Sequence, residues 1–270
     1  RSTFQLATLP ADEFPNMASP DYTTTFEAPA GLLRRLFAKA KFAISTEETR
    51  YYLNGVYLHV AQGAEGGPVL RAVATDGHRL ARIDAPLPEG AQGMPGVIVP
   101  RKTVAELRKL LDDDGAAIRV SVSETKIRFE TPAIQLTSKV IDGTFPDYAR
   151  VIPQGNPRRM EVDAKEFAAA VDRVATVSSE RSRAVKMALE EDRLVLTVNA
   201  PDAGQAEEEL AVAYGDDRIE IGFNAKYLLE IAHQVERENA VFLFASPADP
   251  TVMREGDDQS ALYVVMPMRV

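Results

Sequence analysis

Phe26-Glu27-Ala28-Pro29-Ala30 leads into Leu32, Leu33, Leu36, Phe37, Ala40 and Ile44. About 134 residues later, Met160-Glu161-Val162-Asp163-Ala164 leads into Phe167, Val171 and Val174. Each stretch reads as a short strand running straight into a helix, because the following apolar residues recur with the spacing of one buried helical face. A second pair has the same form. Val97-Ile98-Val99-Pro100 enters a helix with Val104, Leu107, Leu110 and Leu111, and Ile219-Glu220-Ile221-Gly222-Phe223 enters one with Leu228, Ile231 and Val235. The chain therefore carries four strand-then-helix units, two in each half. Similar units packed side by side tend to build a regular, curved object.

Strands lie between these units. Ile118 to Thr131 alternates around Ser123-Glu124, and Met187 to Val198 alternates around Glu191-Asp192, so both read as hairpins. Ala240–Phe244 and Ala261–Met266 are further apolar strands. Pro and Gly clusters mark loops at 63–68, 86–96, 153–157 and 246–250. Phe14-Pro15 and Phe145-Pro146 each precede a strand-helix unit by about 12–15 residues and read as domain ends.

A length of 270 residues predicts two domains. The absence of Cys excludes disulfides, thiol catalysis and zinc fingers. Residues 1–21 lack the apolar run of a signal peptide, and no apolar run approaches the ~18 residues of a membrane span. The chain begins with Arg1, which points to a fragment or a processed form.

A net charge of −9 argues against a generally basic nucleic-acid binder. The positive charge is nevertheless gathered. Arg34, Arg35, Lys39 and Lys41 lie between Leu32 and Ile44 with no acid among them, and the helical period puts them opposite the Leu/Phe stripe. Arg101, Lys102, Arg108 and Lys109 form a second group, diluted by Glu106 and followed by Asp112 to Asp114. Two readings stand: a solvated face, or a face turned to a polyanion, which Lys and Arg would bind without reading base identity.

Motifs of catalysis are missing. There is no phosphate loop, dinucleotide fingerprint, HExxH or nucleophile elbow, and His59, His78 and His233 stand at no metal-ligand spacing. Asp76 and His78 have the spacing of an acid/base pair. The alternative is that Thr75-Asp76-Gly77 is a turn, with Asp76 bonding the local backbone and Gly77 supplying a positive φ. The C-terminus is apolar to its end, with Met266 and Met268 flanking Pro267. A proline cannot continue a central strand, and Met suits a surface that accepts varied apolar groups.

Six segments together resemble the bacterial DNA sliding clamp family, the beta subunit of DNA polymerase III. They are RYYLNG at 50–55, ATDGHRLA at 74–81, VIVPRK at 97–102, DGTFPDY at 142–148, GFNAKY at 222–227 and YVVMPMR at 263–269, in family order across the chain. The resemblance implies an α+β fold of repeated clamp domains, each with two helices packed on antiparallel sheets. Two such domains are expected here, a middle one at 26–147 and a C-terminal one at 148–270. Residues 1–25 would be the tail of a first domain plus a connector. Family members close head to tail as homodimer rings around duplex DNA, helices inward, whereas this chain is expected to be a monomer.

The resemblance further implies a non-enzymatic processivity factor without metal or cofactor, cytoplasmic and associated with the nucleoid. Its groove would take short apolar motifs from DNA polymerases, the clamp loader and repair proteins. One wall would be Leu53, Thr75, Gly77, His78, Arg79 and Leu80, with Pro146, Arg150 and Val151 beside it. Asn224, Tyr227, Ala248 and Pro250 would follow, with Ala248 and Pro250 departing in type from the family. Val264, Val265, Met266, Pro267, Met268 and Arg269 would form the other wall, and Val270 replaces a more usual Leu. A peptide Leu or Phe is expected on a floor of Leu53, Leu80, Val264 and Met266, gaining roughly 1.5–3 kcal/mol per buried side chain. DNA would face Arg34, Arg35, Lys39 and Lys102, with Arg50, Tyr51 and Tyr52 as a tip able to stack on an unpaired base. Two other classes compete: a hydrolase or lyase using Asp76 and His78, and a sequence-specific regulator, for which no helix-turn-helix pattern is present.

Overall fold

The computed structural model describes residues 1–13, 21–111, 114–178 and 183–269. Phe14-Pro15, Asp112, Asp113, the Leu110 side chain and Val270 lie outside the described residues. All four strand-then-helix units form. They are β1 (Thr24–Pro29) into α1 (Ala30–Ala40), β5 (Val97–Pro100) into α2 (Arg101–Leu107), β9 (Arg158–Asp163) into α3 (Ala164–Ala175), and β13 (Ile219–Asn224) into α4 (Ala225–Ala232). The junctions are set locally. Pro29 and Pro100 sit at the N-caps of α1 and α2, where a fixed φ and a missing N–H do no harm. Asp163 and Asn224 cap α3 and α4 by accepting from the Glu166 and Lys226 amides at 2.8 and 3.0 Å.

The first half adds β2 (Gly55–Gln62), β3 (Pro68–Thr75), β4 (Arg79–Pro86), β6 (Ala117–Val122), β7 (Lys126–Glu130) and β8 (Gln135–Lys139). The second adds β10 (Ala184–Glu190), β11 (Arg193–Ala200), β12 (Gly204–Ala211), β14 (Asn239–Phe244), β15 (Thr251–Glu255) and β16 (Asp258–Val265). Both hairpins read from the sequence are present as β6–β7 and β10–β11, and Asp192 takes the positive φ that the second turn requires.

The repeat extends to strand order. The first half builds β1-β6-β7-β8 and β5-β2-β3-β4. The second builds β9-β14-β15-β16 and β13-β10-β11-β12, each in the same internal order. The halves then fuse. β4 pairs antiparallel with β16 from Ile83↔Ala261 to Arg79↔Val265, giving one eight-stranded sheet, β5-β2-β3-β4-β16-β15-β14-β9.

That sheet is buried on both faces near the junction. Ala72, Ala81, Ile83, Ala261, Tyr263 and Val265 point into the main core, shared with helix residues such as Leu36, Phe37, Phe167 and Leu228. The alternate residues Val73, Leu80, Leu262 and Val264 form a second cluster with Leu53, Phe145 and Ile152. Phe145 and Ile152 belong to the segment joining the halves, which the stacked rings of Tyr57 and Phe145 (5.0 Å) hold against β2. No helix among the described residues is long and apolar enough to cross a membrane.

Candidate functional site: the seam between β4 and β16

The turn between β3 and β4 is fixed by its own sequence. Asp76 Oδ1 accepts from the His78 and Arg79 amides at 2.9 and 3.0 Å, Thr75 Oγ1 donates to Arg79 O at 2.7 Å, and Gly77 has φ +89°. The other Asp76 oxygen receives Arg79 Nε at 3.1 Å. This carboxylate is thus occupied by backbone and by Arg79, an arrangement that favours the turn over an acid/base pair with the His78 ring. No group of three or more His, Cys, Asp or Glu among the described residues is placed to hold a metal ion.

Sheet pairing brings the C-terminal strand to this turn. Val264 lies opposite Leu80 and Val265 opposite Arg79, and the ladder continues where Met266 N donates to His78 O at 2.9 Å. Pro267 has no N–H to offer. Met268 N then donates to Gly222 O at 2.7 Å, fastening the tail to β13. Leu53, Leu80 and Val264 form a floor within the second cluster and are only 4, 2 and 3% exposed. The exposed large apolar side chains of the set are Met266, Met268 and Val151, at 39, 41 and 53%, with Pro146 and Ala248 also exposed. Ala248, Pro267, Met268 and Arg269 share the wall of one cavity of about 1100 Å³. Arg150 is exposed and pairs with Asp147 at 2.8 Å, and the Pro250 carbonyl accepts from Asn156 at 2.9 Å. Asn224 is occupied in capping α4.

Arg79, expected in the groove lining, lines a cavity with Asp76, His78 and Tyr227, and its side chain is engaged within the protein. Its side chain is buried, bonded to Glu230, donating to Phe42 O at 2.7 Å, and stacked between the rings of Phe42 and Tyr227 at 5.1 and 4.4 Å. It pins β4 to α4 across the two halves. Tyr227 also stacks on His78 at 6.1 Å. Burial, then the nearby Asp76 charge, pushes the Tyr227 hydroxyl above its ordinary pKa, so the ring is neutral at physiological pH.

The basic face of α1 requires a larger correction. Lys39 is 3% exposed; its ammonium ion pairs with buried Glu255 and donates to Gln234 O at 2.7 Å. Arg35 donates to Asp84 O at 2.9 Å and Ser260 Oγ at 2.7 Å. Lys39 binds the second half of the chain, and Arg35 bridges β4 of the first half to Ser260 of the second, because the second half flanks the helix on a side the period had assigned to solvent. Arg34 is 40% exposed, holding Leu111 O and Asp114. Lys102 and Tyr51 are exposed. Arg50 is held by Glu47 at 2.7–2.8 Å and lies against Gly77, where a Cβ would sit 2.6 Å from its Nη1. Tyr51 and Tyr52 meet edge to face at 5.7 Å.

Two family profiles match consecutive stretches of the chain. The DNA polymerase III beta subunit central domain matches residues 27–147, and its C-terminal domain matches residues 149–269. The beta sliding clamp of Caulobacter vibrioides is 54% identical over 271 residues, covering 100% of this chain and 72% of that protein. The beta sliding clamp of Escherichia coli K12 is 38% identical with the same coverage.

This chain belongs to the beta sliding clamp family.

Clamps are non-catalytic processivity factors, so the chain is not an enzyme. The crystal structure of the Caulobacter crescentus clamp superposes with a TM-score of 0.94 at 53% identity, covering 100% of this chain and 72% of that one. A Bartonella birtlesii clamp bound to griselimycin gives 0.93 at 48%, covering 99% and 72%. Sequence reasoning missed two features of this clamp chain. Lys186, Thr197, Asn199 and Glu220 line the cavity beside Met268, and their strand alternation looks like any solvated sheet face. Glu255 is the buried partner of Lys39, and nothing near it in sequence marks it.

Proposed function

We propose that the chain acts as a processivity clamp that surrounds duplex DNA without sequence preference. It tethers polymerases, the clamp loader and repair proteins through a peptide groove along the β4–β16 seam, in the cytoplasm at the nucleoid. The observation that carries this reading is the pairing of β4 with β16, which sets the turn at Thr75–Leu80 against the tail at Val264–Arg269. Exposed Met266, Met268 and Val151 beside a packed Leu53/Leu80/Val264 floor offer an adaptable apolar surface, and backbone groups of the turn and tail offer polar orientation. That the Bartonella birtlesii clamp takes griselimycin supports a ligand surface in this fold.

The division into a middle domain at 26–147 and a C-terminal domain at 148–270 accords with the repeated sheet orders. Those orders also support ring closure. β8 and β12 are edge strands and occupy the places in their repeats that β16 and β4 occupy at the fused seam, so a further repeat adds to either edge by the same pairing. For DNA, Arg34, Lys102 and the Arg50/Tyr51/Tyr52 tip remain; Arg35 and Lys39 are withdrawn.

The groove is tested by fluorescence polarisation with a labelled Leu/Phe-bearing peptide. Met266→Ala should weaken binding roughly 5- to 30-fold, the range of a truncated apolar anchor. Unchanged affinity would remove the groove from this seam.

A further inference from the structure

The cavity of about 1100 Å³ beside Met268 extends past the groove and over the exposed face of the β12-β11-β10-β13 sheet. The register defines its floor. Thr197 lies opposite Lys186, Lys186 opposite Gly222, and Gly222 beside Met268, so the four form one row across the sheet. Gly222 has no side chain to stand between Met268 and Lys186. Neighbouring strands are about 4.8 Å apart, so the row from Met268 to Lys186 spans about 10 Å, or about three residues of extended chain. A peptide that leaves the groove past Met268 is carried directly toward Lys186.

The charges in this cavity run against the rest of the molecule. The chain carries a net −9, yet among the described residues the ionised groups lining the cavity are Lys186, Arg269 and one carboxylate, Glu220. Glu220 is already engaged. Arg218 donates to it at 2.6 Å and Lys186 stands 3.6 Å away, and these cations hold its pKa below the ordinary carboxylate value. Arg269 is exposed and makes no hydrogen bond or ion pair among the described residues. An anionic segment repelled by most of the surface would meet two cations here.

We infer that this cavity holds the residues flanking a partner's apolar motif, and that it selects an acidic side chain about three positions from the motif, seated between Lys186 and Arg269. The inference rests on the groove reading above. It goes further in naming a second recognition element and its chemistry.

The test uses synthetic peptides sharing one Leu/Phe-bearing core, extended at either end in turn by three serines, three acidic residues or three lysines. Binding is read by fluorescence polarisation on the full chain and on Lys186→Glu, a half-exposed position where substitution spares the core. An acidic extension at one end should tighten binding by about five-fold over serine, the upper range for an exposed ion pair. That gain should vanish in Lys186→Glu while serine-extended affinity stays the same. Because the chain is anionic overall, general electrostatics predicts the reverse order, with lysine extensions the tightest. Equal affinities for acidic and serine extensions at both ends, or a gain that survives in Lys186→Glu, would overturn the inference. If serine-extended peptides do not bind at all, the groove is refuted. Acid-extended binding that persists in that case and is lost in Lys186→Glu would keep the cavity, and failure of both peptides overturns both readings.

Discussion

At the scale of single residues, the informative groups are the buried charges that join the two halves. Lys39 and Glu255 are each about 4% exposed in their side chains and satisfy one another with help from Gln234 O and the Glu236 amide. Removing one partner strands a charge in the interior. Lys39→Ala should therefore lower unfolding free energy by about 3–5 kcal/mol in urea titrations, whereas Lys39→Met combined with Glu255→Leu should recover much of the loss. The sequence could not reveal this, because helical period identifies the stripe facing one core and cannot say what covers the opposite side. His59 gives a prediction in pH. It stacks on Tyr57 at 4.4 Å and meets Tyr148 Oη at 3.1 Å, and burial lowers its pKa below 6.5. The folded state therefore resists the second proton more than the unfolded state does. The stability it contributes is present above about pH 6.5 and is lost as pH falls from there through its folded pKa. Melting temperature should decline over that window, and His59→Gln should flatten the decline.

At the scale of elements, the turn at 75–79 and the tail at 263–269 differ in how readable they are. Thr75-Asp76-Gly77 encodes its own geometry through an Asp side chain and a positive-φ glycine, and the structure has that geometry. Gly77→Ala should destabilise the chain and displace Arg50, since the new methyl would meet both an unfavourable φ and Arg50 Nη1. A fall in melting temperature of several degrees checks this. The tail's partner is not encoded locally. At the seam both alternating sets of β3, β4 and β16 are largely buried, the charged Arg71, Arg79 and Asp84 among them, so no polar-out alternation marks a face or a neighbour. The apolar terminus was visible; its pairing with the strand after the Asp76 turn was not, except through family resemblance.

At the scale of the whole molecule, repetition was legible early, as four strand-helix units, and the structure extends it to sheets of identical internal order. The fusion of one half's sheet with the other's is a long-range choice that no window of sequence contains. It gives the proposed groove its place, since one proposed wall comes from each half. Lys102→Ala with Tyr51→Ala should weaken DNA binding and reduce its salt slope by about one, because one phosphate-binding cation is removed, leaving peptide affinity unchanged. The most direct test of the seam uses its methionines. Of the seven in the chain, Met94, Met160, Met187 and Met253 are buried, whereas Met266 and Met268 are exposed on the tail. In methyl-labelled methionine spectra, titration with a Leu/Phe-bearing peptide should shift the Met266 and Met268 resonances and leave those four in place. Saturating peptide that moves neither tail resonance, or that moves the buried four instead, would contradict a groove at the β4–β16 seam.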